Sequence, residues 1–296
     1  MVSLRYHALR IQAGTVGGLG IGDQRLETED RTLESELLRM LEDSEEKIPS
    51  AELEKIARRR FSAKRKDIRS AIKHLVSKGH LLYTYVHGHS FLEKSFDRAV
   101  RVSEHVVLKP SGIRFDPEPG DAVVEISQGA SFGTGEHPTT RLAIRGLEYA
   151  LGNICFSENQ EKTVGLDIGT GSGVLALVAL LMGIDHAVGV DTDPCARYEA
   201  RTNAAANGLG ERFEIWEGEM GDMKRGFDLI MANLRYPTLA RLAPEMADMA
   251  RNPCVFVFSG IRQDEASDMI RIYTEEGFRC EWRKYEKGWA GLVFLI

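Results

Sequence analysis

Cysteine is scarce in this chain: four residues in 296 (Cys155, Cys195, Cys254 and Cys280), far apart and with no CxxC pair. That spacing argues against a zinc ribbon and a disulfide framework, and it predicts reduced, mostly buried thiols. No apolar run approaches the roughly 18 residues that a membrane-spanning helix needs. The N-terminus lacks the charged leader and apolar block of a secretory signal. Together these absences predict a cytoplasmic chain with no membrane partner. Metal-ligand clusters are missing as well: His87 and His89 sit in a turn with no carboxylate or cysteine nearby, too few ligands to hold an ion.

What is present is enough for two domains. The chain is 43% hydrophobic and 28% charged, an ordinary balance for a globular protein. Its net charge of −6 conceals an asymmetry. Between Ala51 and His80 ten Lys/Arg face only Glu52, Glu54 and Asp67, which leaves +7 there and −13 elsewhere. Residues 1–30 carry five glycines within nine positions but neither a preceding strand nor a following Lys-Ser/Thr, so they read as a flexible leader rather than a phosphate loop. From Thr32 the spacing of Leu33, Leu37, Leu38 and Leu41 predicts a helix. A second, capped by Ser50, carries Leu53, Ile56 and Ala57 on one face. A third runs from Lys64 to Lys78, with Ile68, Ile72 and Leu75 inside, Arg65, Lys66, Arg69 and Lys73 outside, and Gly79 as its stop. Two short strands, 81–86 and 90–92, follow. Three helices and a hairpin over 31–106 resemble a winged helix-turn-helix, a module that binds nucleic acid or docks proteins. Pro110, Pro117 and Pro119 punctuate a predicted linker over 107–122, and the second domain occupies 123–296.

The second domain carries the chemistry. A buried parallel strand from Thr163 to Ile168 leads into Gly169-Thr170-Gly171-Ser172-Gly173 and then an apolar helix from Val174 to Leu181. Glycines permit a sharp turn and let a ligand approach the backbone. The next strand, Ala187 to Val190, ends in Asp191, 22 residues beyond Gly169, where a carboxylate can accept both hydroxyls of a ribose. The alternative role for Asp191 is a helix N-cap, with Asp193-Pro194 behind it. Nicotinamide-dependent dehydrogenases use a similar turn, but their third glycine falls one position later; the tighter GxGxG suits S-adenosylmethionine, which has no phosphate. Asp167 precedes the turn. Glu219, after the strand Phe213 to Trp216, stands where an adenine can be held. The strand Phe227 to Ala232 ends at Asn233-Leu234-Arg235-Tyr236-Pro237, Cys254 to Ser259 forms a fifth strand, and a terminal hairpin turns near Lys287-Gly288. The expected architecture is α/β: a Rossmann-like, seven-stranded, mostly parallel sheet with a C-terminal hairpin, the organisation of class I methyltransferases.

Upstream lies Phe132-Gly133-Thr134-Gly135-Glu136-His137-Pro138-Thr139-Thr140, which by composition alone is a glycine-rich loop before a helix starting near Thr140. Taken with Asp-Ile-Gly-x-Gly-Ser-Gly at 167–173, Gly-Val-Asp-x-Asp-Pro at 189–194 and Asn233 to Pro244, the pattern resembles the PrmA-type ribosomal-protein lysine methyltransferases, which modify the eleventh protein of the large subunit. The likeness spans about 128–296. It implies that S-adenosylmethionine meets Thr140 from the upstream loop, Gly169 at its methionine portion and Asp191 at its ribose. Phe132, Thr134 and His137 would wall the pocket, Gly171 and Gly173 complete the turn, and Asn233 lies beside the transferable methyl.

Two departures stand out. The family's N-terminal substrate-recognition domain is a small α/β module, whereas this one is helical and basic. Asn233 is followed by Leu-Arg-Tyr-Pro, where the family has Ile and small residues; Tyr236 resembles the last residue of Asn-Pro-Pro-Tyr in glutamine and adenine amino-group methyltransferases. Asn233 and Tyr236 are the expected catalytic pair, with Glu136 a further group to orient the nucleophile. The expected acceptor is a protein side chain, ribosomal or in another multi-subunit complex, docked by the N-terminal domain. The alternatives are a nucleic-acid-binding regulator that senses S-adenosylmethionine, a methyltransferase acting on nucleic acid or a small molecule, and, more distantly, a nicotinamide-dependent oxidoreductase.

Overall fold

A computed structural model describes residues 32–43, 48–86, 89–94, 98–127, 137–154, 162–223 and 225–296. The leader, His87, Cys155, and Phe132, Thr134 and Glu136 of the glycine-rich loop lie outside the described residues. Among the described residues no helix is long and apolar enough to cross a membrane. Of the three described cysteines Cys254 is buried and Cys280 half-buried, but Cys195 is exposed, on the first turn of a helix rather than in a core.

The N-terminal elements are α1 (Leu33–Asp43), α2 (Ser50–Phe61), α3 (Arg65–Ser77) and the antiparallel pair β1 (Leu81–Val86) and β2 (His89–Lys94). Leu37, Leu53, Ile68, Ile72, Leu75, Leu81 and Leu92 are buried together in a core of their own. Ile68, Ile72 and Leu75 fall on one stripe of α3 because i, i+4 and i+7 share a helix face. The helix ends where glycine allows it: Gly79 has φ +71°, the His80 amide donates to Leu75 O at 2.8 Å and the Gly79 amide to Val76 O at 3.0 Å. The start of α2 differs from expectation. Ser50 is its first residue and Pro49 is the cap, whose ring has no acceptor for a side-chain cap bond; the Pro49 carbonyl receives the Glu52 and Leu53 amides.

Next come β3 (Val100–Arg101), β4 (Val106–Pro110) and β5 (Ala122–Ile126), a three-stranded sheet in that order, and α4 (Pro138–Asn153). Residues 107–122, read from their prolines as a linker, thus contain most of a strand. Val106, Val107 and Leu108 are fully buried, and Pro110 ends β4, where its missing N–H costs little.

The remainder is β6 (Val164–Ile168), α5 (Val174–Leu181), β7 (His186–Val190), α6 (Pro194–Ala206), β8 (Phe213–Trp216), a 3₁₀ turn (Met220–Asp222), β9 (Phe227–Asn233), α7 (Tyr236–Met249), β10 (Ala250–Arg262), α8 (Ala266–Glu275), β11 (Arg279–Glu286) and β12 (Trp289–Leu295). They build one seven-stranded sheet, order β11-β12-β10-β9-β6-β7-β8, with β12 antiparallel to both its neighbours and every other pairing parallel. The β11–β12 turn is Lys287-Gly288, both at positive φ (+49° and +76°), the geometry that a two-residue hairpin turn demands. Alternation along the strands sends Leu229, Met231, Val255, Val257 and Val293 toward α4, α5, α6 and the small sheet. Ile230, Ala232, Phe256, Phe258 and Phe294 face α7 and α8. Because α5 lies between the large sheet and β5, nearly all its side chains are buried, which explains a helix apolar all round.

The small sheet is held by two asparagines one turn apart on and just after α6. Asn207 exchanges both amide bonds with Glu125, accepting from its N–H at 2.8 Å and donating to its carbonyl at 2.7 Å, as a neighbouring strand would. Asn203 accepts from the Ser127 amide at 2.9 Å and donates to Ser172 O at 2.8 Å. Asn207→Ala should therefore lower stability by about 1–3 kcal/mol, because two backbone groups lose a partner. Urea denaturation should show a lower midpoint at unchanged slope.

Candidate functional site

The parallel strands end along one edge of the sheet, and loops there hold the residues singled out from sequence. Register pairs Ile168 with Val190 and with Ala232, and Asn233 with Ser259, so Gly169, Asp191 and Asn233 emerge side by side. Gly169, Gly171 and Gly173 have φ of +71°, +55° and +81°, a left-handed conformation that other residues seldom adopt. Space forbids side chains too. A Cβ on Gly169 would lie 2.6 Å from Leu234 Cδ2, and one on Gly173 2.9 Å from Phe213 Cε1. The turn is thus packed against both β9's exit and the start of β8.

Four of the five backbone amides of this turn are committed within the protein. Those of Gly169 and Thr170 donate to Val190 O at 2.9 Å each, and that of Gly173 donates to Thr170 O at 2.8 Å. The Gly171 amide donates to Asp191 Oδ2 at 2.9 Å. Beneath it, Asp167 is buried; its Oδ2 accepts from Thr170 Oγ1 at 2.8 Å and the Ala176 amide at 3.3 Å. Burial, with the Asp191 charge adding to it, pushes the Asp167 carboxyl up to about 7 against the pull of those two bonds. A turn with four of its five amides used and the Asp191 carboxylate beside it offers less to a pyrophosphate than an open helix start does. It suits a ligand that is cationic or neutral at this point. Asp191 is not the cap of α6: Asp193 is, accepting from the Cys195 amide at 2.8 Å. The Asp191 oxygens each accept one amide, Asp193's at Oδ1 and Gly171's at Oδ2, and each keeps a second lone pair for a hydroxyl.

Asn233 ends β9 half-buried, and Leu234 continues the ladder through its amide to Ser259 O at 3.0 Å. Gly260 allows this approach: a Cβ there would lie 2.5 Å from Leu234 O. Tyr236 opens α7, half-buried against the α7–α8 core, with Arg235 as cap and Pro237 in the first turn. Across the edge, α4 begins earlier than Thr140. His137 caps it, Nδ1 accepting from Thr139 Oγ1 at 2.8 Å and the Thr139 amide at 3.3 Å. Burial, and then Arg141, hold the His137 imidazole below its ordinary pKa. Thr140 is fully buried and its Oγ1 has no partner. Such an orphaned hydroxyl at a ligand edge is a vacancy for one hydrogen bond. Glu219 is exposed; its carbonyl, not its carboxylate, is engaged, by Trp216 Nε1 at 3.0 Å.

Sequence reasoning missed three features. Asn203 ties Ser127, the last residue before the glycine-rich loop, to the glycine turn itself; lone asparagines on a helix give no periodic signal. Trp289, buried at the start of β12, meets the His137 ring at 5.5 Å and lies under Arg235 and Arg262 at 5.3 and 5.0 Å. Glu286 at the end of β11 takes Arg141 Nε at 2.8 Å and Arg145 Nη1 at 2.9 Å, fastening α4 to the hairpin. A cavity of about 840 Å³ opens at the opposite, amino-terminal edge beside Val164, His186 and Phe213. Its arginines serve the fold: Arg212 donates to three carbonyls, Arg225 pairs with Glu214 and Arg251 with Asp228.

The Asp167 carboxyl gives a pH test. Its pKa is higher folded than unfolded, so the native state holds the extra proton, and stability from this group is present below about pH 4 and lost as pH rises through about 7. Asp167→Asn stays neutral and should gain on the wild type by roughly 1 kcal/mol per pH unit between pH 4 and 7. Denaturation midpoints of the two proteins across that range check it.

Comparison with known proteins follows the same lines. The family model described as ribosomal protein L11 methyltransferase (PrmA) matches residues 85–295. The ribosomal protein L11 methyltransferase of Heliobacterium modesticaldum is 34% identical over 201 residues, 68% of this chain and 61% of that protein. That of Geobacter metallireducens is 35% identical over 196 residues, 66% of this chain and 61% of its own length. The chain thus spans about three fifths of the curated relatives it matches. The crystal structure of ribosomal protein L11 methylase from Lactobacillus delbrueckii subsp. bulgaricus superimposes with a TM-score of 0.58 at 25% identity, covering 67% of this chain and 97% of that one. The match begins at residue 85, within β1, and so reaches further upstream than residue 128, where the motif likeness begins. From β1 onward, the chain belongs to the PrmA family of ribosomal protein L11 methyltransferases.

Proposed function

We propose that the protein is an S-adenosylmethionine-dependent methyltransferase whose acceptor is a protein side chain, a lysine amine of a ribosomal protein first. The observation that supports the cofactor is the glycine turn: four of its five amides are taken by Val190, Asp191 and Thr170, and Asp191 stands beside it with lone pairs left for hydroxyls. The acceptor rests on family membership and on the printed names of the relatives. A ribosomal acceptor places the work in the cytoplasm.

When bound, S-adenosylmethionine supplies a methyl group on a positively charged sulfur that is itself a good leaving group. The chain's residues hold, orient and exclude water. Asp191 takes the ribose hydroxyls, Gly169 lets the methionine portion approach the backbone, and Thr140 Oγ1 gains its missing partner. His137 walls the pocket at the start of α4, and the segment ending at Glu219 flanks the adenine. Asn233 and Tyr236 orient the acceptor, Asn233 by accepting an N–H so that the amine's lone pair points along the line of attack. A lysine reacts only when neutral, and a desolvated site lowers its pKa toward that state. No side chain is required as a general base.

Incubation of the full chain with methyl-labelled S-adenosylmethionine and purified large-subunit ribosomal proteins should label a protein band. Label found only in nucleic acid or small molecules overturns the acceptor. Asn233→Ala should lower kcat about a hundredfold with little change in cofactor affinity, the mark of lost alignment rather than lost binding.

A further inference from the structure

The strongest unexplained feature is the charge on α2 and α3. Arg58, Arg59 and Arg60 at the end of α2, Lys64 between the helices, Arg65, Lys66, Arg69 and Lys73 along α3, and Lys78 after it are all exposed. Arg65 and Arg69 share a single carboxylate, Glu54, at 3.2 and 2.9 Å. Arg58, Arg59, Lys64, Lys66, Lys73 and Lys78 have no carboxylate partner among the described residues. Carboxylates collect instead on α1, where Glu34 and Glu36 open the helix and Glu34 takes His74 Nδ1 at 2.8 Å. Basic residues thus outnumber acidic ones on α2 and α3, where Glu52, Glu54 and Asp67 are the only carboxylates.

We infer that α2 and α3 form a binding surface for the phosphate backbone of a nucleic-acid duplex. An acidic protein is the other chemistry that could meet this charge, and the composition of the surface argues against it. Ala51 is the single apolar side chain among the exposed residues of 50–78. Protein interfaces are centred on aromatic and apolar anchors and are depleted of lysine; here Lys, Arg and Ser predominate, with Glu52, Asp67 and His74 among them, and no Phe, Tyr or Trp is exposed. Phosphate recognition needs no anchor, only cations at high density along an extended element. The 13 residues of α3 run for about 20 Å, a length over which a duplex presents about a dozen phosphate charges. The three-helix order, with the basic helix third and a β-hairpin after it, is that of modules that lay their third helix against a duplex. The whole chain is acidic at −6, so this +7 surface is a local feature held against the net charge. A ribosomal acceptor would arrive with its RNA, but the inference does not rest on the methyl-transfer reading and is tested without methyl donor.

The test is fluorescence anisotropy of the full-length protein with a labelled 20-base-pair DNA duplex and with an RNA duplex of the same sequence, from 50 to 300 mM KCl. Binding to either duplex should weaken linearly in log–log form with a slope of about −5, as expected for some six phosphates neutralised. Lys66→Glu/Lys73→Glu should weaken binding more than tenfold at 100 mM KCl and make the slope shallower by about 2, with Lys66→Gln/Lys73→Gln in between. Arg283→Glu, on β11, should change neither. Unaltered circular dichroism and melting of the variants separates lost binding from lost fold. A preference for DNA assigns α3 to a major groove and a preference for RNA assigns it to backbone contact alone; both support the surface. No binding of either duplex at 50 mM KCl overturns it. So does binding that the double variant leaves unchanged, or poly-glutamate competing as well as duplex at equal charge, which would give the surface to an acidic protein.

Discussion

The hydrogen bond from the Gly171 amide to the Asp191 carboxylate joins the two loops on which the site depends. It fixes the turn after β6 to the tip of β7, it orients Asp191 with the help of the Asp193 amide, and it removes an amide that a phosphate would need. It is possible only because three residues in five lie at positive φ, and these are glycines. The same residues explain the tight fit around the turn: Leu234 and Phe213 occupy the volumes in which side chains at Gly169 and Gly173 would sit. Cofactor preference, loop geometry and the position of Asn233 thus share one physical cause. Asp167, raised toward neutrality by its burial, lies directly beneath and braces the turn through Thr170 and the Ala176 amide in the first turn of α5.

Around this centre the fold works by bracing loops at both ends. Asn203 holds Ser127, where the chain enters the glycine-rich loop, and His137 caps α4 where it leaves. Glu286 ties Arg141 and Arg145 of α4 to the last hairpin, and Trp289 of that hairpin meets the His137 ring edge-on and lies under Arg235 and Arg262. The hairpin therefore does more than complete the sheet: its turn end forms one wall of the edge at which Asn233 and Tyr236 stand. The N-terminal elements have a separate core and a separate electrostatic character, opposite in sign to the rest of the chain.

Legibility from sequence followed the strength of local signals. The glycine turn, Asp191 and the strands Phe213–Trp216 and Phe227–Asn233 carry strong short-range patterns, apolar runs closed by glycine or a carboxylate, and they lie where those patterns place them. The third helix and its Gly79 stop were readable for the same reason. Residues 107–122 were not, because three prolines outweighed the apolar Val106-Val107-Leu108, and only tertiary packing shows that the segment opens with most of a core strand, β4. Long-range pairs such as Asn207–Glu125 and His137–Trp289 leave no periodic trace, so the parts of the site that depend on them were invisible. Whether Asp191 caps a helix or faces a ligand was also undecidable from sequence; Asp193 taking the cap answers the first half of that question.

The central claim is that this edge accepts a ribose-bearing sulfonium and not a dinucleotide. Titration calorimetry of the full chain with S-adenosylmethionine and, separately, with NADH addresses it most directly. The account predicts saturable binding of S-adenosylmethionine, weakened at least tenfold by Asp191→Ala, and none of NADH. Binding of NADH with no heat from S-adenosylmethionine would contradict it.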